Sequence, residues 1–390
     1  MSDHMKNKQF ETRAIHAGRV PEDGTGSVTT PIFPSSTYRV AFPGDESGYV
    51  YSRWSNPTRV ALERALASLE GGTHGFAFSS GLAAINCVLS LLKSGDHIVA
   101  VSDLYGGTHR QFEKIMSRFG LEFSYVDGRN PDDFRKAVKD NTRLFWLETP
   151  TNPLLHLIDI EAVAKIAHEH KILTAVDNTF ATPYIQRPLE LGADIAHHSM
   201  SKYLAGHCDV IGGALVVKDE SLGEQLHFHQ NAIGAQLNPF ESWLVLRGLK
   251  TLHLRMERHS INSTKVVDLL DSIDIVDQIY YPGHDGQRPP NKMTMPGGMV
   301  SFTLKADFET VKNFVMSTEV FILAESLGGV ESLINHPASM THASIPKEIR
   351  EKHGVTDNLV RLSVGLENID DLLIDLRRAF EAVRAKVAKK

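Results

Sequence analysis

Two cysteines, Cys87 and Cys208, are all that the 390 residues contain. A disulfide framework is therefore excluded as a source of stability, and a reducing compartment, the cytoplasm, is expected. No apolar stretch approaches the roughly 20 residues that cross a bilayer. The opening MSDHMKNKQF lacks the apolar run of a signal peptide. Positive charge is in deficit: 41 Lys and Arg against 47 Asp and Glu leave a formal net charge of −6. Nucleic acid and anionic membranes both demand a basic face, so neither is an expected partner, and any phosphate site must be a local arrangement. Closed metal sites are missing as well. The groupings His197-His198, His207 with Cys208, and His227 with His229 repeat no metal-ligand spacing, and no metal is expected.

What is present points to two domains and an arm, since a chain of this length exceeds one hydrophobic core. Residues 1–58 are rich in Thr, Pro, Ser and Gly, yet they carry Phe33, Tyr38, Phe42, Tyr49, Tyr51 and Trp54. A solvated tail would not carry such aromatics, so this arm is expected to dock on another surface. At Asn56-Pro57 a helix cap begins a stripe of Leu62, Leu66 and Leu69 that ends at Gly71-Gly72. Short apolar runs then alternate with helix-length segments: 76–78, 97–101, 123–126, 143–147, 172–177, 194–198 and 210–217. Continuous rather than alternating runs mark strands buried on both faces, hence an α/β domain with a mostly parallel sheet flanked by helices over 59–250. From 251 to 390 the rhythm changes to a long helix, strands at 276–281, 299–304 and 359–364, and a last amphipathic helix from Ile369. A smaller C-terminal α+β domain is the expectation.

The chemistry centres on HSMSKYLAGHCDVIGG. Lys202 is either a solvated surface charge or an amine held beside the hydroxyls of Ser199 and Ser201. The second arrangement, at the C-terminal edge of a parallel sheet, holds a phosphate next to a Schiff base. Asp177 ends the apolar strand ILTAVD, where a carboxylate is costly to leave unpaired. It either caps a helix, pairs with a cation, or faces the nitrogen of a pyridine ring and keeps it protonated. FSSGLAA is a strand-to-helix turn whose backbone N–H groups, from Gly81 onward, form an anion site or merely permit tight packing. Tyr105 follows the strand HIVAV and is placed either to pack or to stack on such a ring. Together these residues outline a pyridoxal 5′-phosphate site. A nucleotide-binding fingerprint would need another glycine pattern, which FSSGLAA does not supply.

Nine segments in order, YSRWSNPT, FSSGLAA, DLYGGTHR, ETPTNP, VDNTFATPY, HSMSKY, AESLGGVESL, MTHASIP and RLSVGLE, resemble the motifs of the Cys/Met-metabolism family of pyridoxal-phosphate enzymes. The resemblance runs from about residue 11 to 385 and implies the type I pyridoxal-phosphate transferase fold. It implies Lys202 as covalent anchor and proton shuttle, Asp177 on the ring nitrogen, Tyr105 stacked on the ring and Thr179 beside it. The phosphate falls to the Gly81 and Leu82 backbone with Ser199 and Ser201, and to Tyr51 and Arg53 of a neighbouring subunit. Asn152, Ser326, Thr341 and Arg361 would seat an amino-acid substrate, Arg361 gripping its α-carboxylate. Arg110 and Glu325 resemble the cystathionine-handling branch, which implies cleavage of the Cγ–S bond of cystathionine. Its alternatives are γ-replacement that builds cystathionine, or β-cleavage. Members are typically homotetramers, dimers of dimers with shared active sites. Two departures concern the distal half of the substrate: Val50 stands where an acid often precedes the Tyr of YSR, and the Gly283–Gly297 segment is shorter than usual. A non-catalytic, cofactor-binding regulatory relative would be expected to have lost Lys202, Tyr105 or Arg361; all three are present.

Overall fold

The computed structural model of the chain describes residues 5, 7–19, 24–45, 47–284, 292–343 and 345–387. Regular structure opens with α1 (Phe10–His16) and α2 (Pro57–Glu70). The second forms where local chemistry demands it. The Asn56 side chain accepts from the N–H groups of Thr58 and Arg59 at 3.0 and 3.3 Å, Pro57 occupies the first turn, and Gly71 closes the helix at φ +73°. A cap of this kind stabilises a helix by about 1 kcal/mol.

The alternating section follows as β1 (His74–Phe78), α3 (Gly81–Leu89), β2 (His97–Val101), α4 (Gly106–Lys114) and β3 (Glu122–Val126). Next come α5 (Asp132–Ala137), β4 (Thr142–Glu148), α6 (Ile160–Glu169), β5 (Leu173–Asp177), α7 (Thr182–Ile185), β6 (Ile195–Ser199) and β7 (Gly213–Val217). These strands make one sheet in the order β1-β7-β6-β5-β4-β2-β3. Strands β3, β2, β4, β5 and β6 run parallel, and β7 is antiparallel to both of its neighbours. The sheet is thus mostly parallel, as its continuous apolar runs require. Ile98, Val99, Phe145, Trp146, Ala175 and Val176 sit at its centre without solvent exposure.

Helices α8 (Glu220–Ile233), α9 (Pro239–Leu249) and α10 (Leu252–Asp271) lead to β8 (Val276–Tyr280), β9 (Met299–Leu304) and α11 (Phe308–Val315). The chain closes with β10 (Ile322–Leu323), β11 (Leu333–Asn335), α12 (Lys347–Lys352), β12 (Leu359–Ser363) and α13 (Ile369–Val387). The second sheet has the order β10-β11-β12-β9-β8. Its own core joins Val266 and Leu270 of α10, Phe302 of β9, Phe314 of α11, Leu362 of β12, and Leu376 and Phe380 of α13.

The long helix expected at the start of the 251–390 region is α10, beginning at Leu252, while α9 just before it is a separate helix that the pattern does not announce. Strands β10 and β11 had no counterpart in the pattern, because two or three residues are too few to show a period and their stability comes from pairing with each other and with β12. The arm also rests partly on its own chain: Phe10 and Ala14 of α1 are buried in the core that includes α2, and the Trp54 ring lies 4.3 Å from that of His227 on α8. Residues 285–291 of the Gly283–Gly297 segment fall outside the described residues.

Candidate active site

The topology brings the carboxyl ends of β1, β2, β4, β5 and β6, and the amino end of β7, to one edge of the larger sheet, where open α/β sheets bind ligands. Across three of these strands Glu148, Asp177 and His197 form a row, Glu148 beside Asp177 and Asp177 beside His197 in register. Asp177 is buried. Its Oδ1 accepts the Thr179 N–H at 3.0 Å and the Thr179 hydroxyl at 2.5 Å, and its Oδ2 lies 3.1 Å from His197 Nδ1. Burial works to raise this carboxyl, but the charge of His197 and the bonds from Thr179 outweigh it and hold the group below the ordinary carboxylate range. Glu148 behaves oppositely: burial, then the charge of Asp177, push it well above its ordinary value. Two adjacent carboxyls are thus pushed in opposite directions.

The end expected to hold phosphate is built from backbone. Ser80 caps α3 by accepting the Ala83 N–H at 3.0 Å, which leaves the N–H groups of Gly81 and Leu82 without an intrahelical acceptor. The start of β7 lies hard against this turn. A Cβ on Gly213 would sit 2.1 Å from the Ser80 carbonyl and 2.8 Å from Gly81 Cα, so glycine is required there. A Cβ at Gly81 would lie 3.6 Å from Ser199 Oγ, which puts that hydroxyl beside the same helix start. Ser199 N–H donates to Thr179 Oγ1 at 2.8 Å, and Ser201 Oγ accepts the Gly212 N–H at 3.0 Å.

Lys202 stands in the turn after β6, its Nζ donating to Ser326 Oγ at 2.5 Å. Burial first, then the nearby Arg361 charge, bring the amine down to about 8, so a sizeable neutral fraction exists near physiological pH. Ser326 is held at φ +86°, an uncommon backbone state for a residue with a side chain. Arg361 on β12 is buried, donates through Nη1 to Asn152 Oδ1 at 2.7 Å and through Nη2 to the Ser326 carbonyl at 3.2 Å. Its Nε is buried with no partner among the described residues, a guanidinium edge still waiting for an anion. Burial holds this group down to about 10.

The remaining expected residues are placed less uniformly. Tyr105 is 40% exposed, and its N–H donates to Glu148 Oε2 at 2.9 Å. Thr341 reaches the site edge: its carbonyl would lie 2.7 Å from a Cβ on Gly106, and its hydroxyl meets His342 Nδ1 at 2.9 Å. Glu325 is exposed next to Ser326. Arg110 is also exposed and lines a separate cavity of about 510 Å³ with Asp103, His342 and His353. Tyr51 and Arg53 are exposed, and Arg53 bonds Asn231 of its own chain at 2.8 and 2.9 Å rather than the cradle.

Three residues escaped sequence reasoning. Glu148 was visible only as part of ETPTNP, and His197 only as half of a discarded metal pair; strand register, not local pattern, reveals both. Asp103, two residues before Tyr105, is buried and accepts the Thr151 hydroxyl and, at 3.3 Å, the Leu154 N–H, tying the Tyr105 loop to the Asn152 loop. The ionised Asp177, the lowered Lys202 amine, the unused N–H pair and the Gly213 approach together fit pyridoxal phosphate: a ring cation, an imine carbon and an anion each meet a complementary group.

The family model described as Cys/Met metabolism PLP-dependent enzyme matches residues 11–381. A cystathionine beta-lyase of Lactococcus lactis subsp. cremoris (strain MG1363) is 51% identical over 376 residues, covering 95% of this chain and 99% of that protein. A cystathionine gamma-lyase of Bacillus subtilis (strain 168) is 47% identical, with 97% and 100% covered. Among solved structures, cystathionine gamma-lyase from Lactobacillus plantarum complexed with L-serine superposes with a TM-score of 0.93 at 48% identity, with 97% and 100% covered. With its motifs, fold and site geometry in agreement, the chain belongs to the Cys/Met-metabolism family of pyridoxal-phosphate-dependent enzymes and is a carbon–sulfur lyase of trans-sulfuration.

Proposed function

We propose that this enzyme cleaves cystathionine at its Cγ–S bond, with water, to cysteine, 2-oxobutanoate and ammonia. The observation that carries the reading is Lys202 Nζ in contact with Ser326 while the Arg361–Asn152 pair offers a free guanidinium edge. Arg361 grips the substrate α-carboxylate and Asn152 orients that grip, which sets Cα over the Lys202 amine. Bound pyridoxal phosphate supplies an electron sink for charge developing at Cα. Lys202, with its amine near neutrality, takes the Cα proton, and a second proton leaves Cβ. The Cγ–S bond then breaks with its electron pair on sulfur, and the departing thiolate collects a proton. Glu325 at the mouth offers a negative charge to the distal ammonium of cystathionine.

The 51% identity to a cystathionine beta-lyase favours a second reading, in which the Cβ–S bond breaks and homocysteine, pyruvate and ammonia appear. A third, formation of cystathionine from an activated homoserine ester and cysteine, has a relative 47% identical, the Bacillus subtilis cystathionine gamma-synthase/O-acetylhomoserine (thiol)-lyase. Product analysis separates all three. Cysteine with 2-oxobutanoate from cystathionine supports the proposal, homocysteine with pyruvate replaces it with β-cleavage, and rapid cystathionine formation from the ester replaces it with synthesis.

The assembly belongs to the same proposal: a cytoplasmic homotetramer of two dimers, with an arm at 1–58, a cofactor domain at 59–250 and a small domain at 251–390. Exposed Tyr51 and Arg53 then complete the phosphate site of the adjoining subunit. Arg53→Ala is expected to weaken cofactor retention, and unchanged occupancy would remove the shared-site part of the reading.

A further inference from the structure

His197 belongs to the Glu148–Asp177–His197 row and takes no part in the reaction as proposed. Its Nε2 lies 3.1 Å from the Gly81 carbonyl, an acceptor only, so this nitrogen carries a proton. Its Nδ1 lies 3.1 Å from Asp177 Oδ2, a second acceptor. The imidazole thus spans the gap between β5 and the start of α3. Around it, Leu215 is its register partner on β7 and the Trp146 ring centroid is 5.5 Å away.

Both ends of this bridge are cofactor contacts. Gly81 begins the helix turn with the unused N–H groups, and Asp177 is the ionised acceptor for a ring nitrogen. A second link runs parallel to it: Ser199 N–H to Thr179 Oγ1, and Thr179 O–H to Asp177 Oδ1. The carboxylate is therefore tied at each oxygen to the strand and turn that bind phosphate. We propose that His197 is a positioning residue for the cofactor: it fixes the spacing between the Asp177 carboxylate and the Gly81 turn.

The role is read in cofactor affinity. His197→Leu removes the bond to Gly81 and the contact with Asp177, and its apoenzyme should bind pyridoxal phosphate about tenfold more weakly, the loss of one hydrogen-bonded tie. His197→Asn, which keeps an amide in place of the ring, should bind it more tightly than the Leu variant and more weakly than wild type. His198→Leu serves as the control, since His198 points to the other face of β6 and pairs with Glu70 at 2.5 Å. It should lower thermal stability and leave cofactor affinity where it is. A folded His197→Leu protein with wild-type cofactor affinity overturns the proposal. Should the Leu protein not fold, His197→Asn decides it, and wild-type affinity in that variant overturns it equally.

Discussion

Arg361 Nη1 donates to Asn152 Oδ1 at 2.7 Å, so one buried contact joins β12 of the smaller sheet to the loop after β4 of the larger one. Ser301 on β9 reinforces that junction by donating to the Pro153 carbonyl at 2.6 Å. The proposed substrate seat is therefore assembled from both sheets, and neither half makes it alone.

Arg361→Lys keeps the charge and loses the planar fork. With cystathionine, kcat/KM should fall about 100-fold, equivalent to about 2.7 kcal/mol, mostly through KM, while cofactor absorption stays unchanged. Steady-state kinetics checks this. A loss confined to kcat would show that Arg361 does not hold the ground-state carboxylate.

Gly213→Ala places a methyl group against the Ser80 carbonyl, where a Cβ has only 2.1 Å. The turn that presents the Gly81 and Leu82 N–H groups must shift. Pyridoxal phosphate should bind at least tenfold more weakly by fluorescence titration of apoenzyme. Wild-type affinity in this variant would place the phosphate elsewhere.

Local chemistry made α2 readable, because Asn56, Pro57 and Gly71 act on their own backbone neighbours. The apolar runs of β2, β4 and β5 announced a buried parallel sheet for the same reason. Lys202, Asp177 and the Gly81 turn were visible because each closes or follows a strand. The Asp177–His197 contact was not, since it depends on which strand lies beside which and in what register. Strand β11 is only Leu333–Asn335 and owes its shape to β12, so no pattern within it could announce a strand.

Asp103 offers a test by pH. Burial, against the bonds from Thr151 and Leu154, raises its carboxyl to about 7, with Asp127 adding to the rise and Arg129 opposing it. His156 Nδ1 stands 3.6 Å away. In the unfolded chain this group ionises near 4, so between pH 4 and 7 the folded state binds the extra proton. Its contribution to stability then falls by about 1.4 kcal/mol per pH unit at most, and the penalty is complete above pH 7. Asp103→Asn has no such dependence. Thermal melts should show the Tm of this variant gaining on wild type from pH 5 to pH 8, and a constant difference would mean that Asp103 is already ionised at pH 5.

The central claim is that Lys202 carries the cofactor, and reduction with borohydride followed by digestion and mass spectrometry tests it most directly. The account predicts a reduced pyridoxyl group on Lys202 and its absence from the peptide of a Lys202→Ala protein. An adduct on another lysine, or none on Lys202 in protein that has bound pyridoxal phosphate, would contradict it.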